Sequence, residues 1–236
     1  MLAVVVKEVC VVCAVGTVPK IFEVDDGTFC GYAGLRADGV ALIDKMRIRA
    51  ARERIVCPEE RASPRRLAQS IGDVAHEAAR GGGSRCYGAR LIVAGIGPDS
   101  GEPELWTVGP SGMVEREPEG RVLRLGGKRS SNNNDQHFEP PSSQKEEDWS
   151  PEDAVSALAN AAFADSDSLD ALQVVVFRKE PGSAPRAPRL LAWRADLRRN
   201  DDLLLGGQNK DRWRLHPDAA TSLAAALAHE NDDLTS

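Results

Sequence analysis

The sequence predicts an α+β fold in which antiparallel sheets pack against layers of helices. Three observations predict it. Strand-like runs rich in Val, Ile and Cys come in clusters, and Asp26-Gly27 joins two of them with a strong hairpin signal. Two segments of helical spacing, one from Asp38 to about Arg54 and one opened by Ser63-Pro64, follow each other directly. Strands then return before helices do, so blocks of strands and blocks of helices alternate rather than single elements. Layer rules alone allow a generic α+β arrangement as well as sheets enclosed between two helical layers. With 236 residues and 42% hydrophobic content, one domain over residues 1–236 is expected.

In chain order, Leu2 to Val15 reads as one or two buried strands around a turn at Lys7-Glu8. Ile21 to Val24 and Thr28 to Ala33 flank the Asp26-Gly27 turn as a hairpin. Asp38 is expected to cap the next helix, in which Leu42, Ile43, Met46 and Ala50 fall on one face. Ser63 caps the second helix and Pro64 occupies its first turn. Leu67, Ile71, Val74, Ala75 and Ala78 make its apolar stripe, and Gly81 to Gly83 stop it. Strands are expected at Ala89 to Ala94, Glu104 to Val108, Met113 to Glu117 and Val122 to Leu125. Lys128 to Asp148 carries Asn132-Asn133-Asn134, Pro140-Pro141 and an acidic run, and reads as a loop or disordered insertion over 128–148. Ser150-Pro151 opens a third helix and Leu172 to Phe177 forms a buried strand. Pro181 to Asp211, rich in Pro, Arg and Gly, is expected to be a second insertion over 181–211 with one strand at Leu190 to Trp193. Leu215-His216-Pro217 begins a last helix.

Composition excludes several classes of function. A net charge of −6 without a clustered basic excess argues against a nucleic-acid partner. No apolar run is long enough for a membrane helix. Lys7-Glu8 interrupts the apolar start, which lacks the features of a signal peptide. The five cysteines are an odd number without scaffold density and suit a reducing compartment. In a strand, the spacing of Cys10 and Cys13 places the two sulfurs on opposite faces, which suits packing rather than chelation, and no metal site is expected.

Candidate chemistry is sparse. The histidines, His76, His137, His216 and His229, are scattered, and His76 reads as a half-exposed helical residue. Asp25-Asp26 and Asp201-Asp202 mark a turn and a solvated loop. Neither Gly81 to Gly83 nor Gly206-Gly207 is followed by Lys-Ser/Thr, so neither is a phosphate loop. No cofactor and no catalytic residue is expected.

One ungapped stretch, Lys20 to Arg54, KIFEVDDGTFCGYAGLRADGVALIDKMRIRAARER, resembles alpha-type subunits of the proteasome core particle. Its features are Lys20-Ile21, a strand ending in Asp, a second strand closing on Gly34-Leu35, and Ala37-Asp38 opening a helix with an early Arg. Further weak matches follow in order: Ser84-Arg85-Cys86-Tyr87-Gly88, Pro103-Glu104-Leu105-Trp106, Pro110-Ser111-Gly112, Val122 to Gly126, Ser150 to Ala154 and Arg214 to Pro217. The resemblance covers most of residues 1–177 and roughly 212–230. It departs at Cys86, where the family has Pro, and at Gly109, where it has Asp. The family's N-terminal gating extension precedes the point where this sequence starts, and Lys128 to Asp148 stands where the family has a helix. The sequence therefore resembles a diverged member lacking that extension.

The resemblance implies a four-layer αββα sandwich of the N-terminal-nucleophile hydrolase type. It implies a non-catalytic subunit of the outer ring, which gates substrate entry for ubiquitin-dependent protein degradation in the cytoplasm and nucleus. Its partners would be other alpha-type and beta-type subunits and a regulatory activator particle. The activator's C-terminal tails would dock at Lys20, Gly34 and Leu35, and the helix carrying Asp38, Arg47 and Arg54 would face the ring. Two alternatives are a beta-type threonine hydrolase and a truncated free-standing paralogue without ring assembly. The hydrolase needs an N-terminal nucleophile, and Gly16-Thr17 is the first Gly-Thr pair in the sequence. Val18-Pro19 follows it instead of a strand of small and hydroxyl residues, and cleavage there would remove the first strands.

Overall fold

The N-terminal apolar run folds as a hairpin of β1 (Leu2–Val6) and β2 (Val9–Val15), with Leu2 opposite Cys13 and Val6 opposite Val9. Two strands with a break at the charged pair were one of the expected readings. The chain is seen in a computed structural model, which describes residues 1–6, 9–15, 18–25, 27–58, 62–81, 85–98, 100–126, 154, 157–158, 171–179, 190–198, 204–205 and 214–215. β1 pairs on its other side with β8 (Leu123–Arg124). β2 pairs with β9 (Ala171–Lys179), and β9 pairs along its length with β10 (Leu190–Arg198). The order of this antiparallel sheet is β10-β9-β2-β1-β8.

The second antiparallel sheet follows chain order: β3 (Ile21–Asp25), β4 (Thr28–Gly34), β5 (Ala89–Ile96), β6 (Pro103–Val108) and β7 (Val114–Arg116). The β3–β4 hairpin closes with Asp25 opposite Thr28, and Gly27 takes the positive φ of 73° that such a short turn demands. Strand alternation sends the side chains of this sheet into two separate cores. Ile92 and Ala94 of β5, with Ile21, Phe29 and Leu105, meet Ala3, Val5, Cys10, Val12 and Val175 of the first sheet. The intervening Leu91 and Val93, with Cys30 and Tyr32, meet the helices.

Those helices are α1 (Arg36–Val56) and α2 (Pro64–Arg80). In α1, Leu42, Ile43, Met46 and Ala50 face the sheet, as their spacing predicts. Burying each of the larger three contributes about 1.5–3 kcal/mol. In α2, Leu67, Ala68, Ile71 and Ala75 do the same, Ser63 is the N-cap, Pro64 lies in the first turn and Gly81 ends the helix. The start of α1 differs from expectation. Leu35, not Asp38, is the N-cap residue, and Asp38 lies inside the first turn, buried. Helical geometry begins earlier, and the Asp38 carboxylate takes its partners from a distant segment, Arg85 and Gly88, rather than from its own helix end.

The result is an α+β sandwich: two antiparallel sheets face to face, with α1 and α2 covering the outer face of one. The expected insertion at 128–148 lies outside the described residues. Of the expected third helix, Ala154, Ala157 and Leu158 are helical, with Ala154 and Leu158 buried. The segment 181–211 contains more regular structure than its composition implies. β10 extends to Arg198, beyond the expected Trp193, because β9 offers it an unbroken ladder of partners. β11 (Leu204–Leu205) pairs with β12 (Arg214–Leu215), so Leu215 belongs to a strand, and the rest of the expected last helix lies outside the described residues.

Candidate functional site

Gly34 and Leu35, two of the residues that the sequence marks out, lie at one end of the β3–β4–β5 sheet, where β4 passes into α1. Gly34 ends β4 with φ 124°, a backbone conformation that favours glycine. A methyl group there would also sit 2.2 Å from the Gly88 carbonyl oxygen, so glycine is required twice over. Leu35 follows, its side chain 56% exposed, while its N–H donates to the Gly88 carbonyl at 2.8 Å. Leu35 thus projects an apolar side chain outward from a backbone that is tied down.

Asp38 holds this junction together. Its two carboxylate oxygens accept from the two terminal nitrogens of Arg85, at 2.6 and 2.7 Å. The oxygen shared with Arg85 Nη1 also accepts the Gly88 N–H at 2.7 Å. The Arg85 hydrogen bonds, followed by that from the Gly88 backbone, hold the Asp38 carboxyl down at about 2. The reciprocal contact pushes the Arg85 guanidinium up. The sequence reading did not pair these residues, which are separated by most of two helices. The available signal was Ser84-Arg85-Cys86-Tyr87-Gly88 itself, an arginine three residues before a glycine at the head of a strand.

Lys20 lies just before β3, half-buried, and its carbonyl accepts the Tyr32 N–H at 3.1 Å. Lys20 is therefore level with Tyr32 on β4, and Gly34 lies two residues further along, about 7 Å at the rise of a strand. Lys20 and the Gly34–Leu35 step thus lie towards the same end of the sheet. A residue that the sequence reading did not foresee positions Lys20. Gln173 of β9, buried, accepts the N–H of Lys20 at 2.7 Å and that of Ile21 at 3.3 Å through its side-chain carbonyl, linking the two sheets there. Nothing in the local pattern of β9 distinguishes Gln173, because its partner is 153 residues away.

Arg47 and Arg54 of α1 turn towards β3. Arg47 donates through Nε and Nη2 to the Glu23 carbonyl at 3.1 and 2.9 Å, lies 5.9 Å from the centre of the Phe22 ring and pairs with Asp44. Arg54 pairs with Asp25, whose other oxygen accepts the Ala62 N–H at 3.2 Å. Asp38 is buried, so of the three residues named for this helix only the two arginines are surface groups. The side of α1 opposite its buried face instead shows Ile48 and Ile55, 54% and 79% exposed, with Arg52 between them.

Among other candidates, Cys10 belongs to the core between the sheets and Cys13 does not, so the two thiols lie on opposite faces of β2 as their spacing predicts. Burial pushes the Cys13 thiol up to about 12 and raises the thiols of Cys10 and Cys30 as well, which suits packing and not nucleophilic attack. His76 is exposed on α2, with Nδ1 3.2 Å from the Ser111 carbonyl. Thr17, His137, His216 and His229 lie outside the described residues.

Comparison with known proteins agrees with this architecture. A family model described as "Proteasome subunit" matches residues 3–177. Over 99 residues the chain is 38% identical to proteins named proteasome subunit alpha from Saccharolobus islandicus and Saccharolobus solfataricus. It is 40% identical over 97 residues to the protein of that name from Sulfolobus acidocaldarius. These matches cover 42% and 41% of this chain and only 40% and 39% of the respective relatives. The chain belongs to the proteasome subunit family, and the members it matches here are of the alpha type.

Proposed function

We propose that this chain is a non-catalytic alpha-type subunit that joins the outer ring of a proteasome core particle and helps to gate the entry of substrate. Its neighbours are other alpha-type subunits and beta-type subunits. The setting is the degradation of ubiquitin-marked proteins in the cytoplasm and nucleus. The observation that carries the reading is the β4–α1 junction, which is specialised in its backbone: two glycines in contact, a clamped N–H and carbonyl, and one exposed leucine. Such an arrangement supports a role in recognition. In this reading the C-terminal tail of a regulatory particle places its carboxylate near the Lys20 ammonium and an apolar side chain near Leu35. A compact ammonium suits a terminal carboxylate, and Gly34 lets a peptide backbone come close. The exposed side of α1, with Ile48, Arg52 and Ile55, is the surface offered to the neighbouring subunits.

The test is native mass spectrometry of the assembly purified through a C-terminal tag on the chain in its own cells. Co-purification of many distinct subunits of similar mass is expected. A lone monomer would refute ring membership, and a mature chain starting at Thr17 would replace it with a threonine hydrolase.

A further inference from the structure

We infer that the Asp38–Arg85 pair is a positioning latch: by clamping the Gly88 backbone to the first turn of α1, it holds Gly34 and Leu35 in the arrangement that meets an incoming peptide terminus. The inference rests on the reading above that Lys20, Gly34 and Leu35 receive such a tail. Gly88 is gripped through both of its backbone groups, its carbonyl by the Leu35 N–H and its N–H by Asp38. The two segments approach closely. A Cβ on Gly34 would lie 2.2 Å from the Gly88 oxygen, and one on Gly88 2.8 Å from Leu35 Cδ1. The two hydrogen bonds couple the position of the Gly88 backbone to that of Leu35.

The form of the contact points to positioning more than to bulk stability. The Arg85 side chain is 65% exposed, and an ion pair at such a surface contributes little to global stability. Yet it grips both oxygens of a nearly buried carboxylate, a planar two-point contact that fixes orientation. No side chain caps the N-terminus of α1 at Leu35. Asp38 sits where it could serve the helix end, but it reaches across to the neighbouring segment. The start of the helix, including Leu35, is thus tethered through Asp38 to Arg85 and Gly88.

The experiment uses the assembly purified with the tagged full-length chain and a fluorescent peptide with an apolar residue close to a free C-terminal carboxylate. The C-terminal amide of the same peptide is the control. The unaltered assembly is expected to bind the free acid more tightly than the amide, and Lys20→Ala to remove that preference. Arg85→Gln is expected to weaken both peptides by roughly three- to tenfold while keeping the preference, because the binding-competent arrangement is populated less. It should also speed hydrogen exchange at the Leu35 amide with little change in thermal midpoint, and Arg85→Lys should recover only part of the affinity. Unchanged affinity in Arg85→Gln, alongside a preference that depends on Lys20, overturns the latch and leaves the tail reading standing. A collapsed thermal midpoint in Arg85→Gln reassigns the pair to structure and overturns the latch as well. If the unaltered assembly does not distinguish acid from amide, the tail reading fails and the latch fails with it.

Discussion

Asp38 shows how far one side chain can depart from its local expectation. Position and type suggest a helix cap, whereas its partners are Arg85 and the Gly88 N–H, 47 and 50 residues along the chain. Because those contacts favour the ionised form, its pKa is lower folded than unfolded, so its contribution to stability is present above the ordinary carboxylate range. It is lost as the pH falls towards about 2, the value at which Asp38 is held in the fold. Asp38→Asn is therefore expected to lower the urea midpoint only slightly at neutral pH, as suits a pair whose arginine is exposed, with the gap to the unaltered chain closing as the pH is lowered through that window. A gap that stays constant with pH would mean that the charge of Asp38 contributes nothing. Gln173 makes a similar point with an uncharged group, since one amide oxygen serves two N–H groups of the facing sheet.

At the scale of elements, α1 is the most informative. Its inner face was legible from spacing alone, because Leu42, Ile43, Met46 and Ala50 recur with the helical period. Its flank was not. Arg47 covers the Glu23 carbonyl of β3, the edge strand of its sheet, and Arg54 secures Asp25 at the strand's end. Composition identifies these arginines only as basic. Met46 is fully buried and Ile48, two residues on, is 54% exposed, so the two predict opposite outcomes. Met46→Ala should cost about 2–5 kcal/mol of unfolding free energy. Ile48→Ala should change the stability of the isolated chain by at most about 0.5 kcal/mol. Urea unfolding of the isolated variants checks both, and comparable losses would contradict the assigned orientation of α1. Gly34 belongs to the same junction, and its requirement became plain only when Gly88 was seen against it.

For the whole molecule, burial divides the cysteines. Cys10, Cys13 and Cys30 are buried, whereas Cys57 and Cys86 are exposed. A maleimide added to the folded chain is expected to modify Cys57 and Cys86 quickly, and the other three only after unfolding, as read by the masses of proteolytic fragments. Fast labelling of Cys10 would contradict the packing of the first sheet against the second, because Cys10 lies in the core between them. The same labelling carried out on the assembly reports whether neighbouring subunits cover Cys57 at the end of α1.

By itself the sequence determined the α+β class, the strands from β1 to β7, the two adjacent helices, the opposed thiols of β2 and the proteasome resemblance. These follow from period, turn chemistry and short ordered motifs, all of which act over a few residues. Tertiary structure alone decided that β8 and β9 flank the first hairpin and that β10 is a long strand in a segment whose composition reads as loop. It also decided that the candidate site is held by Asp38, Arg85, Gly88 and Gln173 acting together. The physical reason is the same in each case. A strand partner or a buried polar group is satisfied by whatever the fold brings beside it, and the spacing of residues along the chain carries no record of that neighbour.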